Sequence, residues 1–293
     1  MTTLFRRRKR ETRFIEQVSP LRAIIAWIVG LLVFFPVLYI FVTGFKKESA
    51  ALDLPPTIIP TPNGDWPLTF ALTFENFEAV LNRGFWPFFQ NSIVVVTVST
   101  LLVLALALPA AFALVWRRYE HGKNILFFFL STRFLPAVGV IIAIFYIAKT
   151  ADIIDEPIAL IIMYTAMNLP IAVWLMRSFF DEIPRDVIDA SRVDGATTWQ
   201  EMFLISVPMV IPGLVATMFI IAIFAWNEFF LAVSLMAARG ATAPMYMIGF
   251  VTSEGLFWAK LAAAGTMAML PVIIIGWLLQ RQLVRGLSMG AVK

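Results

Sequence analysis

Long uncharged stretches constrain this chain more than any other feature of its sequence. The first of them, residues 23–45, holds 23 consecutive residues without a charge, which is enough for a helix to cross ~30 Å of hydrocarbon. Of the 293 residues, 60% are apolar and only 14% are charged, far from the composition of a soluble protein of this size. The sequence therefore predicts an all-α fold, a polytopic membrane helix bundle.

Six stretches are apolar and long enough to be transmembrane helices. We predict spans at residues 23–45, 88–116, 124–148, 158–176, 207–238 and 261–280. Several prolines fall inside these spans, and they indicate bent or broken helices, because proline frees backbone groups that the bundle must satisfy. They are Pro36, Pro109, Pro136, Pro170, Pro208, Pro212 and Pro271.

The spans divide the chain into four segments. We predict a basic N-terminal tail at 1–22, the first span with a proline-rich external loop at 23–86, the main transmembrane domain at 87–282, and a C-terminal tail at 283–293. Because residues 46–87 are polar and rich in proline, we expect no regular core there.

Loop charges predict the orientation. Of the 23 lysine and arginine residues, sixteen fall in 6–22, 117–123, 177–192 and 281–293, whereas the loops on the other side carry six. Positive charge marks the cytoplasmic side. Both termini are therefore predicted to be cytoplasmic.

The composition excludes several functions. There is no cysteine and a single histidine, His121, so we expect no disulfide, no metal site and no catalytic residues. The basic residues lie at membrane edges and do not indicate nucleic-acid binding. The chain also has no Gly-x-x-x-x-Gly-Lys-Ser/Thr loop, so it does not bind nucleotide by that motif.

A charged segment at 181–208, which we call the elbow, separates two spans. Pro184 suits the first turn of a helix that runs to about Val193. Val187, Ala190 and Val193 predict an apolar stripe along it. Gly195 is expected to end that helix in a left-handed conformation. Thr198 and Glu201 have the spacing of a capping box for a second helix.

The elbow resembles the EAA loop of bacterial ABC importer permeases. That pattern reads Glu-Ala-Ala, three residues, Gly, nine residues, Ile, one residue, Leu-Pro. Asp189, Ala190 and Ser191 take the first place here, Gly195 and Ile205 follow at the family spacing, and Val207-Pro208 closes the motif. The substitutions of Asp for Glu, Ser for Ala and Val for Leu are mild. The resemblance implies that Asp189, Ala190, Ser191, Gly195, Ile205 and Pro208 couple the chain to an ATPase.

Three further segments narrow the resemblance to the maltose-type carbohydrate uptake family. Residues 131–136, 225–230 and 280–293 are similar to segments of its MalG-like subunit. This implies a permease that imports a sugar or polyol through the bacterial cytoplasmic membrane. The implied partners are a second, MalF-like permease, an ABC ATPase dimer, an extracytoplasmic sugar-binding protein and membrane lipid. The resemblance implies no cofactor in this chain, with ATP and Mg²⁺ held by the partner ATPase.

The roles of four residues within predicted spans stay open. Trp226, Asn227 and Glu228 could line a pore or substrate path, since a carboxylate in a span needs a partner or a wet cavity. A structural bond to a neighbouring helix is the alternative for Glu228. Arg133 could neutralise a carboxylate or extend to the cytoplasmic interface, and we favour the interface.

Other transporter classes share part of this pattern. An amino-acid or polyamine ABC permease would share the elbow but not the C-terminal segment. A secondary transporter would need coupling-ion sites and often has internal repeats, and the sequence shows neither a repeat nor a carboxylate relay.

Overall fold

The computed structural model describes residues 19–61, 68–117, 122–134, 136–236, 242–252 and 255–289. The N-terminal tail up to residue 18, His121 and the last four residues lie outside this part of the chain. Within it the fold is almost entirely helical, and the strands form two-stranded pairs only. The all-α prediction is confirmed.

The helices α1–α12 and strands β1–β4 follow one another along the chain. They are α1 (Pro20–Gly44), β1 (Ile59–Thr61), β2 (Thr69–Ala71), α2 (Glu75–Asn82), α3 (Phe85–Trp116), α4 (Gly122–Arg133), α5 (Ala137–Thr150), α6 (Pro157–Asp181), α7 (Arg185–Val193), α8 (Thr198–Met209), α9 (Ile211–Trp226), α10 (Phe230–Leu235), α11 (Ala243–Ile248), β3 (Val251–Thr252), β4 (Gly255–Leu256) and α12 (Trp258–Met289).

Four of the described helices are each long and apolar enough to cross a membrane unbroken. They are α1, α3, α6 and the part of α12 from Trp258 to Val284. α12 continues to Met289, beyond the predicted end of the sixth span at 280. Gly286 therefore lies within the helix. A glycine weakens a helix but does not necessarily end it.

The third and fifth predicted spans are bent pairs of helices. α4 and α5 meet at 87°, and α8 and α9 meet at 83°. Pro136 is the N-terminal cap of α5 and Pro212 lies in the first turn of α9, positions that suit a residue without an N–H. With each pair counted as one span, the described residues hold up to six spans.

The fifth span ends earlier than its sequence predicts. α9 stops at Trp226, and Asn227 is its C-terminal cap. The predicted span 207–238 is therefore wrong at its end, and Glu228 lies beyond the helix rather than within it. Apolar residues continue after the break, so hydropathy alone does not reveal it.

One compact unit comprises the described residues of 19–77 and 258–266. In it β1 and β2 pair in parallel, with Ile59 opposite Thr69, and the Phe45 ring packs against Phe74 and Phe77. Lys46 is fully buried, with its ammonium 4.6 Å from the centre of the Tyr39 ring. Phe70 is 3% exposed, and the Lys46 ammonium lies 5.5 Å from the centre of its ring. The expectation of no regular core in this proline-rich region is therefore wrong, because a small buried cluster forms around Phe70 and Lys46.

The second unit comprises the described residues of 78–257 and 267–289, and α3 and α6 form its most extensive helix pair. Gly213 of α9 lies so close to α6 that a Cβ there would come within 2.4 Å of the Phe179 ring. Near the elbow, apolar side chains of α3, α6, α7 and α8 form what we call the elbow-side core. Its members include Phe112, Met176, Phe179, Phe180, Ile183, Ile188, Met202 and Val210.

Candidate functional site

A Schellman turn ends α7 at Gly195. The Ala196 N–H donates to the Ser191 carbonyl at 3.0 Å, and the Gly195 N–H donates to the Arg192 carbonyl at 3.1 Å. This bonding pattern needs a left-handed residue after the helix, and Gly195 has φ +82°. The predicted end of the helix and the predicted left-handed conformation of Gly195 are confirmed.

The face of α7 that packs inward is one register position away from the predicted stripe. Ile188 is fully buried in the elbow-side core, and Ser191 is buried beside it, with its hydroxyl donating to the Ile188 carbonyl at 2.7 Å. Val193 is 88% exposed and Ala190 is also exposed. Burying the larger Ile188 removes more apolar surface from water than burying Ala190 would. The predicted stripe therefore contains two exposed positions.

The capping box of α8 also differs from the predicted one by one residue. Thr197 is the N-cap, its side chain accepts from the Gln200 N–H at 3.4 Å, and the Gln200 side chain accepts from the Thr197 N–H at 2.8 Å. Thr198–Glu201 has the same spacing, so sequence alone does not separate the two boxes. This choice leaves the Glu201 carboxylate available for another partner.

That partner is Arg192, on the other side of Gly195. The Arg192 Nε–H donates to Glu201 Oε1 at 2.9 Å, and Nη2 donates to Oε2 at 3.4 Å. The Glu201 side chain is only 6% exposed, whereas that of Arg192 is 42% exposed. The hydrogen bond to Glu201 raises the pKa of Arg192 above its ordinary value. No sequence motif predicts this pair, although opposite charges flank the glycine.

The other predicted elbow residues are divided between the surface and the core. The Asp189 carboxylate is 70% exposed and lies 3.6 Å from an Arg192 nitrogen. Ile205 packs against the elbow-side core, and Pro208 is exposed within α8. The start of α8 has one more contact, from the Arg117 guanidinium to the Thr198 hydroxyl. α7 thus presents Asp189, Ala190 and Val193 outward while its opposite face is held by the bundle.

Trp226, Asn227 and Glu228 lie together at the C-terminal end of α9, a helix of 16 residues that is about 24 Å long. Trp226 is buried against the Phe89 ring, and the Asn227 amide donates to the Ile223 carbonyl at 2.8 Å. The half-buried Glu228 carboxylate accepts from the Leu231 N–H at 3.0 Å and from the Ala232 N–H at 3.3 Å. It therefore caps α10.

Arg133 lies at the break between α4 and α5 and turns into the bundle. Its Nη1 donates to the Met167 carbonyl at 2.6 Å and to Asn168 Oδ1 at 3.4 Å, and its guanidinium lies over the Phe224 ring. Pro170 has no N–H to donate to the Ala166 carbonyl, and Arg133 donates to the α6 backbone at the next residue, Met167. Neither role considered from the sequence, a carboxylate partner or the interface, describes these contacts.

A cavity of about 580 Å³ opens beside Arg133. Its walls are mainly apolar side chains of α5 and α6, and Thr132 and Arg133 are its polar groups. The remaining lining residues are Ala137, Val140, Ile144, Met163, Ala166, Met167, Pro170 and Leu231. The wall of this cavity therefore offers hydrogen-bond donors within an otherwise apolar surface.

Residues 97–289 match the family described as the binding-protein-dependent transport system inner membrane component. The matched segment covers about two thirds of the chain and includes the whole elbow, α9 and the Arg133 cavity. The chain belongs to this family. It is therefore a permease subunit of the ABC importer kind and a multi-pass membrane protein.

Named relatives agree with this assignment. The permease is 36% identical, over 91% of its length and 93% of the relative's, to a probable ABC transporter permease protein of Sinorhizobium fredii. It is 29% identical to the diacetylchitobiose uptake system permease protein DasC of Streptomyces coelicolor, over 64% of this chain and 65% of that one. It is 30% identical to the trehalose transport system permease protein SugB of Mycobacterium tuberculosis, over 65% of this chain and 66% of that one.

Solved structures share the fold. A bacterial ABC transporter involved in the import of the acidic polysaccharide alginate superposes with a TM-score of 0.69 at 22% identity, covering 89% of this chain and 94% of that one. The MetNI methionine ABC transporter superposes with a TM-score of 0.55 at 20% identity, covering 72% of this chain and 98% of that one. At these identities the likeness concerns the fold of the permease and not its cargo.

Proposed function

We propose that this permease is the MalG-like subunit of an ATP-driven importer that moves a sugar or polyol across the bacterial cytoplasmic membrane. The sugar uptake named in the relatives from Streptomyces coelicolor and Mycobacterium tuberculosis supports the substrate class. A third relative, the sulfoquinovosyl glycerol transport system permease protein SmoH of Agrobacterium fabrum, is 30% identical over 67% of this chain and 66% of that one.

The proposed assembly has four kinds of component. This chain pairs with a MalF-like permease, two ABC ATPases bind the face that carries the elbow, and an extracytoplasmic binding protein delivers the sugar. ATP and Mg²⁺ belong to the ATPases, so this chain transports and does not hydrolyse ATP. The elbow and both termini are then cytoplasmic, in agreement with the distribution of lysine and arginine.

The outward face of α7 is the observation that carries the proposal. Val193 is 88% exposed beside Asp189 and Ala190, although Ile188 on the opposite face is fully buried. An amphipathic helix with one face anchored and a small apolar and acidic face left open suits a groove on a partner protein. We propose that this groove belongs to the ATPase.

Replacing Asp189 by lysine tests the contact. The exposed Asp189–Arg192 pair contributes about 0–1 kcal/mol to the chain itself, so the variant should insert and pair with the second permease normally. A reversed charge facing the ATPase should weaken its binding strongly. The matched control is Asp53→Lys, the same change at another exposed position.

The assay is co-purification of the ATPase with the permease pair, followed by ATP hydrolysis stimulated by the binding protein. Uptake is measured with trehalose, diacetylchitobiose and mannitol, and with methionine and putrescine as representatives of the alternative classes. Unchanged ATPase retention and uptake in Asp189→Lys would show that α7 is not the docking element. Uptake of methionine or putrescine alone would refute the carbohydrate assignment.

A further inference from the structure

The junction between α7 and α8 has little backbone stiffness of its own. Only residues 194–197 connect the two helices, and Gly195 in their middle adopts a left-handed conformation with open space around it. Glycine is conformationally permissive. If α7 is the element that an ATPase moves, a free glycine junction would absorb that movement before it reached α9.

The Arg192–Glu201 pair bridges this junction with side chains. Arg192 stands in the last turn of α7, three residues before Gly195, and Glu201 stands six residues after it in α8. Two parallel contacts, Nε to Oε1 at 2.9 Å and Nη2 to Oε2 at 3.4 Å, join them. Bidentate arginine–carboxylate pairs fix relative orientation as well as distance, so this pair restrains the angle between the helices.

The surroundings of Glu201 make the restraint stronger than that of a surface ion pair. Its side chain is 6% exposed, and the next residue, Met202, is packed in the elbow-side core with Ile188. A carboxylate removed from water needs its partner, whereas exposed pairs are nearly neutral in free energy. Glu201 also begins a π-helical segment that runs to Ser206, a feature frequent at functional sites.

A second arginine holds α8 from another direction. The Arg117 side chain, at the C-terminal end of α3, donates to the Thr198 hydroxyl in the first turn of α8. α8 is thereby tied both to the bundle and to α7. When α7 is displaced, the force therefore reaches α8, which is also held to α3 by the Arg117–Thr198 hydrogen bond.

We propose that Arg192 and Glu201 are positioning residues for energy coupling, a salt-bridge clamp that makes α7 and α8 move as one body across Gly195. This inference rests on the proposed function of α7 as the ATPase-docking helix. Binding of the ATPase depends on the outer face of α7, whereas transmission of its movement depends on the clamp. The two steps are separable by mutation.

The functional test uses the complete importer in proteoliposomes with its ATPase and binding protein. Arg192→Gln and Glu201→Gln should retain the ATPase on purification but lower the sugar transported per ATP hydrolysed by about tenfold, the factor expected for losing a charge-assisted hydrogen bond. Arg192→Lys should keep part of the coupling, since it preserves the charge but not the bidentate geometry. Arg22→Gln, the same change at an exposed arginine outside the elbow, should behave as wild type.

A structural measurement covers the case in which a variant assembles poorly. The chain has no native cysteine, so spin labels can be placed at exposed positions on the two helices through Asp186→Cys and Leu204→Cys. With the clamp intact, the distance distribution between the labels should be narrow. Arg192→Gln should broaden it, and Arg22→Gln should leave it unchanged.

The outcomes of these experiments distinguish failure of the docking function from failure of the clamp. If Asp189→Lys retains both the ATPase and uptake, the proposed docking function fails, whatever the spin labels report. If Asp189→Lys loses the ATPase but Arg192→Gln changes neither the transport per ATP nor the distance distribution, the clamp is refuted while the docking function stands. A narrow distribution together with uncoupled hydrolysis in Arg192→Gln would also refute the clamp.

Discussion

Replacing Gly195 by valine should uncouple the permease from ATP hydrolysis without unfolding it. At φ +82° an L-residue is penalised by about 1–2 kcal/mol, because its Cβ crowds the following carbonyl oxygen. A Cβ at Gly195 would meet no atom within 4 Å, so no steric clash adds to that penalty. The change therefore acts on the turn itself. It shifts the equilibrium between this elbow and other arrangements by roughly 5- to 30-fold.

The chain offers a matched control in Gly84. This residue has φ +86°, also has open space at the Cβ position, and precedes α3 outside the elbow. Gly84→Val should therefore carry a similar backbone penalty with no direct effect on the elbow. Asparagine tolerates left-handed backbone better than valine, so Gly195→Asn should retain more function than Gly195→Val.

The assay compares ATPase retention, ATP hydrolysis stimulated by the binding protein, and uptake in the reconstituted importer. We expect Gly195→Val to lose the ATPase or to hydrolyse ATP without transport, and Gly84→Val to keep hydrolysis and uptake linked. Equal losses in both variants would attribute the effect to backbone strain in general. Wild-type coupling in Gly195→Val would refute the role of this turn.

Two further variants test packing and capping. Gly213→Ala should lower the melting temperature of the purified permease, because its Cβ would come within 2.4 Å of the Phe179 ring and overpacking costs about 1–3 kcal/mol. The control is Gly139→Ala, at a helical glycine with no neighbour within 4 Å, which should not lower the melting temperature. Glu228→Gln should keep the complex assembled because an amide oxygen still accepts the bonds that cap α10, whereas Glu228→Ala should destabilise it by about 0.5–2 kcal/mol. Equal melting temperatures for the two glycine variants, or for the two Glu228 variants, would contradict these structural assignments.

The sequence predicts the elements whose determinants are local. The end of α7 follows from Gly195, because a helix that closes with a Schellman turn needs a residue tolerant of positive φ. The capping box is less determined, since Thr197 with Gln200 and Thr198 with Glu201 have the same spacing. Glu201 can either complete a capping box with Thr198 or bind Arg192, and in the structure it binds Arg192. Such a choice depends on contacts between helices, which no local pattern contains.

Hydropathy predicts where the chain enters lipid but not how it bends there. The spans at α1, α3 and α6 lie close to their predicted limits. The bends at α4–α5 and α8–α9 fall near prolines, yet α1, α3, α6 and α12 also contain internal prolines and continue as single helices. Whether a proline kinks or breaks a helix depends on which neighbouring groups satisfy the freed carbonyls. Packing partners decide this.

The two carboxylates that face Arg192 differ in exposure, so losing the contact with Arg192 has a different effect on each of them. Asp189 is 70% exposed and Glu201 only 6% exposed. Asp189 can therefore exchange Arg192 for a cation on another protein at almost no cost to the fold. Glu201 cannot release the same arginine without leaving a buried charge unpaired. Arg192 thus keeps α7 attached to α8 while Asp189 is free to bind outward, so docking and undocking of a partner need not loosen the elbow.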